Sequence, residues 1–222
     1  MLPKMVKKSN QSRKIRVSKK GTASQAIGII EKNTDTFILT YGQFSLIDAL
    51  MAILDQTGPA HVTVCTWTAA HSDLTRSAEL LETAEILSFR MIVDGSFHSR
   101  QPEYYNHMIK LFGDDSIRTI GTHAKFLIIK NDRWDIVVRT SMNLNNNPRL
   151  EDLEISDNAE FAKFFYQIAD DIFLEVAPGN DKKQTQPPLN SIIDNDSFTA
   201  ITANAIKRKT LKEASYTHEI KH

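Results

Sequence analysis

The segment His123–Asn143, HAKFLIIKNDRWDIVVRTSMN, decides which fold and which chemistry the sequence predicts. Two apolar, β-branched runs, HAKFLII and WDIVVRT, are joined by the polar residues KNDR, a pattern typical of a hairpin between two strands. His123 and Lys125 open the first run, while Ser141 and Asn143 close the second. Polar side chains at the ends of segments that are otherwise buried are the first indication of a functional site.

These four polar residues are predicted to converge because of strand geometry. His123 and Lys125 are two residues apart, so in a strand they project from the same face, about 7 Å apart along the chain. Hairpin pairing places Ser141 and Asn143 beside them. This set suits a phosphate, since Lys and Asn stabilise its non-bridging oxygens while His attacks phosphorus or protonates a leaving oxygen. The alternative interpretation is that these groups are strand ends facing water.

The composition indicates one globular domain with polar tails. The chain has 222 residues, of which 41% are hydrophobic and 24% charged. It contains neither an apolar run of about 20 residues nor a signal-peptide block, so we predict a cytoplasmic protein without membrane association. Cys65 lies in the apolar run HVTVCTW and is predicted to be a buried small side chain.

The charges are unevenly distributed along the chain although the net charge is zero. Residues 1–20 carry no acid, and they form a predicted disordered basic arm that binds nucleic-acid phosphates. Its basic residues are Lys4, Lys7, Lys8, Arg13, Lys14, Arg16, Lys19 and Lys20. Residues 21–176, the predicted domain, carry 12 basic and 22 acidic groups. A solvated tail without a binding role is the alternative.

Strands and helices alternate before the hairpin. Predicted strands at 35–41, 61–67, 87–94 and 116–121 are separated by predicted helices at 45–58, 72–85 and 102–113, with Ser72 or Asp73 as the N-cap of the second helix. This alternation predicts an α/β fold with a mixed, mostly parallel sheet and helices on both faces.

After the hairpin, residues 150–155 are a predicted strand and 159–176 a closing amphipathic helix. An aromatic stripe on that helix is predicted to be core, and it comprises Phe161, Phe164, Phe165, Ile168, Ile172 and Phe173. Residues 177–222 form a predicted polar tail, with a short helix near 198–214.

The hairpin and the acidic strand that follows it resemble the phospholipase D superfamily and its signature HxK(x4)D(x6)GSxN. The resemblance covers roughly residues 35–176 and is specific in the His, Lys, Ser and Asn positions. It departs elsewhere: Lys130 occupies the Asp position, Thr140-Ser141 replaces Gly-Ser, and the spacer is longer. Asp132 and Asp135 are the candidates for the missing carboxylate.

The resemblance implies a two-step phosphodiester transfer without a metal or other cofactor. His123 is the implied nucleophile, Lys125 and Asn143 hold the phosphoryl oxygens, and Ser141 adds a hydrogen bond. Glu151 is the implied acid that orients His123, with Asp152 and Glu154 as nearby alternatives. The chain has one motif where the chemistry uses two histidines, so a homodimer with a composite site is expected. His61, His71, His98 and His107 show no ligand spacing.

Short, single-motif relatives of bacterial and phage type point to a nuclease, with DNA favoured as substrate and RNA as the alternative. A nucleic-acid-binding protein that has lost turnover remains a second hypothesis, and a phospholipid hydrolase is a third. Trp67 and the pair Phe97-His98 follow predicted strands, where an open α/β sheet places its ligands. These aromatic residues either stack on a base or close the core, and for Trp67 the core is favoured.

Overall fold

The computed structural model describes residues 11–145 and 148–178. Eight strands form one sheet: β1 (Ser12–Ser18), β2 (Thr34–Thr40), β3 (Ala60–Thr66), β4 (Ile86–Asp94), β5 (Ile117–Ile120), β6 (Phe126–Lys130), β7 (Asp135–Thr140) and β8 (Glu151–Asp157). The helices are α1 (Ala23–Ile27), α2 (Leu46–Thr57), α3 (His71–Glu82), α4 (Ser96–Arg100), α5 (Pro102–Phe112) and α6 (Ala159–Glu175), and a 3-10 turn covers Asp114–Ser116. None of the helices within these residues has the length and apolar character required to span a membrane.

The sheet is mixed, as predicted, and its strand order is β1-β2-β8-β7-β6-β3-β4-β5. The pairs β1/β2, β3/β4 and β4/β5 are parallel, and the other four are antiparallel. Following these pairings across the sheet, six strands run in one direction, while β6 and β8 run in the other. The strands are therefore mostly parallel in direction, although the two reversed strands make most neighbouring pairs antiparallel.

Helices cover both faces of the sheet, also as predicted. Helices α1 to α5 contribute to a large core on one face, which includes Ile38, Leu50, Val64 and Met91. Helix α6 covers part of the other face, where Ala169 and Ile172 pack with β-strand residues such as Ile92 and Ile128. Alternation along each strand explains this division, since successive side chains point to opposite faces.

Strand β1 corrects the prediction that residues 1–20 form a disordered arm. Residues Ser12–Ser18 form β1, whose seven residues all pair in parallel with Thr34–Thr40. Ile15 and Val17 alternate along this segment, and both are β-branched residues, which favour a strand. The sequence analysis gave more weight to the basic charges of the segment than to this pattern. Residues 1–10 lie outside the described residues, as do the predicted tail from 179 onward and its helix near 198–214.

Two helix details differ from the sequence prediction. Helix α3 begins one residue earlier than expected, with Ala70 at the N-cap position and Asp73 buried in the first turn. On α6 the most buried positions are Ala162, Ala169 and Ile172, whereas Phe164 is exposed. Small side chains let the helix approach the sheet closely, so the aromatic residues of the predicted stripe lie mainly along the flanks of the contact.

We predict that Ile38→Ala lowers the free energy of unfolding by about 2–5 kcal/mol, because it empties part of a close-packed core. Ile38 in β2 is 0% exposed. The matched control is Ile29→Ala, at a position that is 73% exposed, where the change should stay within about 0.5 kcal/mol. Urea unfolding followed by circular dichroism measures both, and equal losses in the two variants would contradict this packing.

Candidate active site

The predicted site residues lie at one edge of the sheet because of the reversed strands. Strands β2, β3, β4, β5 and β7 end at this edge, while β6 and β8 begin there. His123 and Lys125 directly precede β6, Ser141 and Asn143 directly follow β7, and Glu151 is the first residue of β8. The hairpin and the return strand thus bring all five side chains to the same edge, which we call the catalytic edge.

His123 and Lys125 are in direct contact. The Lys125 Nζ atom lies 3.3 Å from His123 Nδ1 and donates to the His123 carbonyl at 2.9 Å. His123 is exposed, and the Trp67 ring lies beside it with a centroid distance of 5.7 Å. An ammonium group is a donor only, so a hydrogen bond to Nδ1 requires Nδ1 to act as the acceptor.

Lys125 is half-buried, and its electrostatic surroundings are mixed. Burial lowers the pKa of its ammonium below the ordinary lysine value, and the nearby Glu151 carboxylate opposes this shift. Cys65 packs beneath the same segment, where Sγ lies 3.4 Å from the Ala124 carbonyl. Burial raises the pKa of the Cys65 thiol to about 12, so the thiol is neutral at physiological pH and does not supply a nucleophile.

Ser141 and Glu151 are joined to each other. The Ser141 hydroxyl donates to a Glu151 carboxylate oxygen and accepts from the Asp152 amide at 3.0 Å. Asp152 and Glu154 are the alternatives to Glu151 as the acid that orients His123, and their side chains do not share the face of Glu151. Strand alternation places both on the opposite face of β8, and Glu154 forms an ion pair with Arg139.

Thr140 occupies a Gly position of the signature and uses its hydroxyl to shape the turn after β7. Thr140 Oγ1 donates to the Asp152 carbonyl and accepts from the Met142 amide at 3.0 Å. These two bonds tie the end of β7 to the start of β8. The Thr140 departure from the signature therefore strengthens the local backbone that presents Ser141.

Asn143 is positioned by the loop after β3. Thr66 Oγ1 lies 3.4 Å from Asn143 Oδ1, and the Ala70 amide donates to the Leu144 carbonyl at 2.6 Å. Asn143 and Glu151 also line one small pocket, together with Gly42, Phe44, Met142 and Asn145. Asn143 is therefore held by contacts with the end of β3 and the loop after it, and it shares a pocket with Glu151.

Asp94 is hydrogen-bonded to the loop that carries His123, and the sequence analysis did not identify this residue. Its carboxylate accepts from the Thr122 amide at 3.0 Å and from the Ser96 amide at 2.9 Å. Burial raises the pKa of this carboxyl, but these hydrogen bonds outweigh burial and hold it below its ordinary value. The sequence signal that could have identified Asp94 is its position as an acidic residue at the carboxyl end of a buried strand.

The structure places Asp132 and Asp135 away from the catalytic edge, so neither adds a carboxylate there. Both line a pocket of about 590 Å³ around the β6–β7 turn, at the opposite end of the hairpin. The five residues of β6 lie between the catalytic edge and the turn, and they span about 13 Å. Lys130, which holds the Asp position of the signature, also lies at this end and pairs with Asp135 at 3.8 Å.

The basic residues predicted to bind nucleic acid divide into four groups. Arg13 and Lys14 pair with Asp35 and Glu31, at 3.7 and 2.5 Å respectively. Arg16 donates to the Ile27 carbonyl at 2.7 Å. Lys19 and Lys20 are exposed and follow the end of β1, at the catalytic edge. Lys4, Lys7 and Lys8 lie outside the described residues.

The other histidines among the described residues have local partners of their own. His61 lies near the opposite end of β3 and contacts Ser88 at 2.7 Å. His71 stacks on His107 with centroids 3.6 Å apart, and His98 packs edge-on against Tyr105. Across residues 11–145 and 148–178, no three His, Cys, Asp or Glu side chains are arranged to hold a metal ion.

Neither a protein-family profile nor a curated protein sequence matches this chain. Among solved structures, it is similar to NucT from Helicobacter pylori, with 17% identity and a TM-score of 0.49 over 65% of this chain and 99% of that chain. Nuc from Salmonella typhimurium, a phospholipase D family member, matches with 13% identity and a TM-score of 0.47 over 65% and 97%. Polyphosphate kinase from Porphyromonas gingivalis matches with 12% identity and a TM-score of 0.48 over 68% and 27%. Similarity at this level does not identify chemistry, so function is argued from the side chains.

We predict that Lys125 titrates below an ordinary lysine and that Glu151→Gln lowers its pKa further. The carboxylate favours the charged ammonium, so removing its charge leaves burial unopposed. NMR titration of the lysine side-chain resonances, assigned with Lys125→Arg, measures the shift. The matched control is Asp152→Asn on the opposite face, which should leave the titration of Lys125 in place; a raised pKa in Glu151→Gln would contradict this arrangement.

Proposed function

We propose that this protein is a metal-independent phosphodiesterase that cleaves nucleic acid through a phosphohistidine intermediate. The observation that carries the proposal is the group at the catalytic edge, where an exposed imidazole and an ammonium are in contact 3.3 Å apart. Ser141 and Asn143 follow the neighbouring strand β7, and Glu151 begins β8, the next strand beyond it. A nucleophile, a cation and hydrogen-bond donors around one open volume are what phosphoryl transfer requires.

In the first step, His123 Nε2 attacks phosphorus, and the bond from phosphorus to the leaving oxygen breaks. Lys125 and the Asn143 amide bind the non-bridging oxygens, where negative charge accumulates in the transition state. In the second step, water attacks the phosphohistidine and the phosphorus–nitrogen bond breaks. The water proton passes to the group that protonated the leaving oxygen, so the enzyme returns to its starting state.

Substrate binding changes the hydrogen bonding of His123. In the structure Lys125 occupies Nδ1, which leaves the proton of a neutral imidazole on Nε2. A bound phosphate draws the ammonium to its oxygens, so the proton moves to Nδ1 and Nε2 becomes the nucleophile. Glu151 already interacts with Lys125, and we assign it the role of the acid that then orients His123.

A second imidazole must protonate the leaving oxygen, and we propose that it is His123 of a second copy. His123 is exposed at the catalytic edge, where a copy related by a two-fold axis can meet it. Each protomer then supplies one His and one Lys to a composite site. The site is incomplete in a single chain.

Nucleic acid fits the charges along the catalytic edge. Lys19 and Lys20 follow β1 at this edge, four strands away from β6, and both are exposed. Neighbouring strands lie about 4.8 Å apart, so the end of β1 is about 19 Å from β6, and we propose that Lys19 and Lys20 bind phosphates a few nucleotides away from the one that His123 attacks. DNA is the favoured substrate, and RNA is the alternative to be tested beside it.

We expect the protein to cleave DNA or RNA in EDTA, and His123→Ala to reduce the rate at least about 1000-fold while binding survives. Gel assays with labelled single-stranded DNA, duplex DNA and RNA measure cleavage, and fluorescence anisotropy measures binding. The matched control is His61→Ala, which removes an exposed histidine at the opposite end of the sheet. Binding without cleavage by the unmodified protein would replace the enzyme hypothesis with that of a binding protein.

We further expect a heterodimer of unmodified and His123→Ala chains to be as inactive as the His123→Ala homodimer, because it holds only one imidazole. Co-expression with two different affinity tags isolates the heterodimer for assay. A heterodimer with His61→Ala serves as the control and should retain full activity. Half activity in the first heterodimer, or a fully active monomer in gel filtration, would exclude the composite site.

A further inference from the structure

Trp67 lies beside the nucleophile and outside the hydrophobic cores. It follows directly after β3, is half-buried, and places its ring centroid 5.7 Å from that of His123. Within the described residues, neither core cluster includes Trp67, whereas Phe97 is fully buried in the larger one. Trp67 is therefore not a core residue, contrary to the interpretation that the sequence favoured.

Arg100 is held against the Trp67 ring. Its guanidinium carbon lies 3.8 Å from the ring centroid, and Nη2 donates to the Trp67 carbonyl at 3.1 Å. Nε donates to Ser96 Oγ at 2.9 Å, and Ser96 in turn donates to Asp94. These two bonds use two of the five N–H groups of the guanidinium, so the cation is fixed in place and keeps donors for an incoming anion.

We infer that Trp67 and Arg100 form a nucleotide subsite next to His123, in which Trp67 stacks on an unpaired base and Arg100 binds the phosphate attached to that nucleotide. This inference rests on the proposed function and names its substrate class as single-stranded nucleic acid. An indole ring and a guanidinium together match the two parts of a nucleotide that every sequence shares, the face of the base and the phosphate.

The same geometry predicts a preference for single strands over duplexes. Bases in a duplex already stack on their neighbours, whereas an unpaired base is free to stack on an aromatic ring. Trp67 is close enough to His123 that a base on its ring belongs to a nucleotide adjoining the phosphate under attack. Strand preference is thus set by a residue that the signature does not contain.

The two tryptophans of the chain allow a direct test by fluorescence. Trp134 is the matched control, since Lys32 lies over its ring at 3.6 Å and it precedes β7 at the opposite end of the sheet. In a His123→Ala background, Trp134→Phe leaves only Trp67 and Trp67→Phe leaves only Trp134. Adding oligothymidylate should quench the first protein strongly and leave the second unchanged.

Affinity measured by fluorescence anisotropy supplies the second readout. Trp67→Ala should weaken oligothymidylate binding by about 5- to 150-fold, and it should hardly change binding of an abasic oligomer of equal length. Arg100→Ala should weaken both oligomers, because both carry the phosphate. Circular dichroism verifies folding, and the milder Trp67→Leu change, which also removes the aromatic ring, replaces Trp67→Ala if the latter unfolds.

The outcomes separate this subsite from the proposed function. Cleavage in EDTA with unchanged Trp67 fluorescence, or equal losses for the thymidylate and abasic oligomers in Trp67→Ala, would overturn the subsite alone. Failure of the unmodified protein to bind or cleave any nucleic acid would overturn the proposed function and the subsite together. Quenching confined to Trp67, with a weaker response to duplex DNA, supports the subsite, whereas cleavage in EDTA supports the proposed function.

Discussion

The reversal of two strands in one sheet is the constraint on which the rest of this structure depends. Strands β6 and β8 run against the other six, so their first residues lie beside the last residues of their neighbours. An all-parallel sheet brings only strand ends to such an edge. Here His123 and Glu151 approach from the beginnings of strands and Ser141 from the end of one, which places a histidine and two oxygen-bearing groups around one volume.

Hydrogen bonds between loops then fix these groups. Asp94 holds the Thr122 amide, Thr140 holds the start of β8, and the Leu144 carbonyl accepts from Ala70. Each bond joins chain segments that are distant in sequence. Polar contacts therefore connect the loops that carry the site residues.

Charge at the catalytic edge is balanced locally. Lys125 is partly desolvated and interacts with Glu151. Arg100 donates to the Ser96 hydroxyl, which in turn donates to the Asp94 carboxylate. Cations held by nearby acids are pre-oriented, and they bind a phosphate without the cost of ordering a free side chain. Under the proposed function, the substrate phosphates would meet these cations at one edge, although residues 21–176 carry an acidic excess.

The sequence by itself determined the periodic elements and the residue types of the site. Apolar runs and helical periodicity predicted strands β2 to β8 and the longer helices, and the spacing of His123, Lys125, Ser141 and Asn143 predicted their convergence. These signals are local, since they depend on side chains a few residues apart. The roles assigned to these residues stay predictions.

Only the tertiary structure decided which distant residues join them. It showed β1 in a segment whose charge indicated disorder, and it placed Asp132 and Asp135 at the end of the hairpin opposite the catalytic edge. It also brought Trp67 and Arg100 together across 33 residues of chain. Strand order, strand direction and loop contacts arise from long-range pairing, and no pattern within a short window of sequence contains that information.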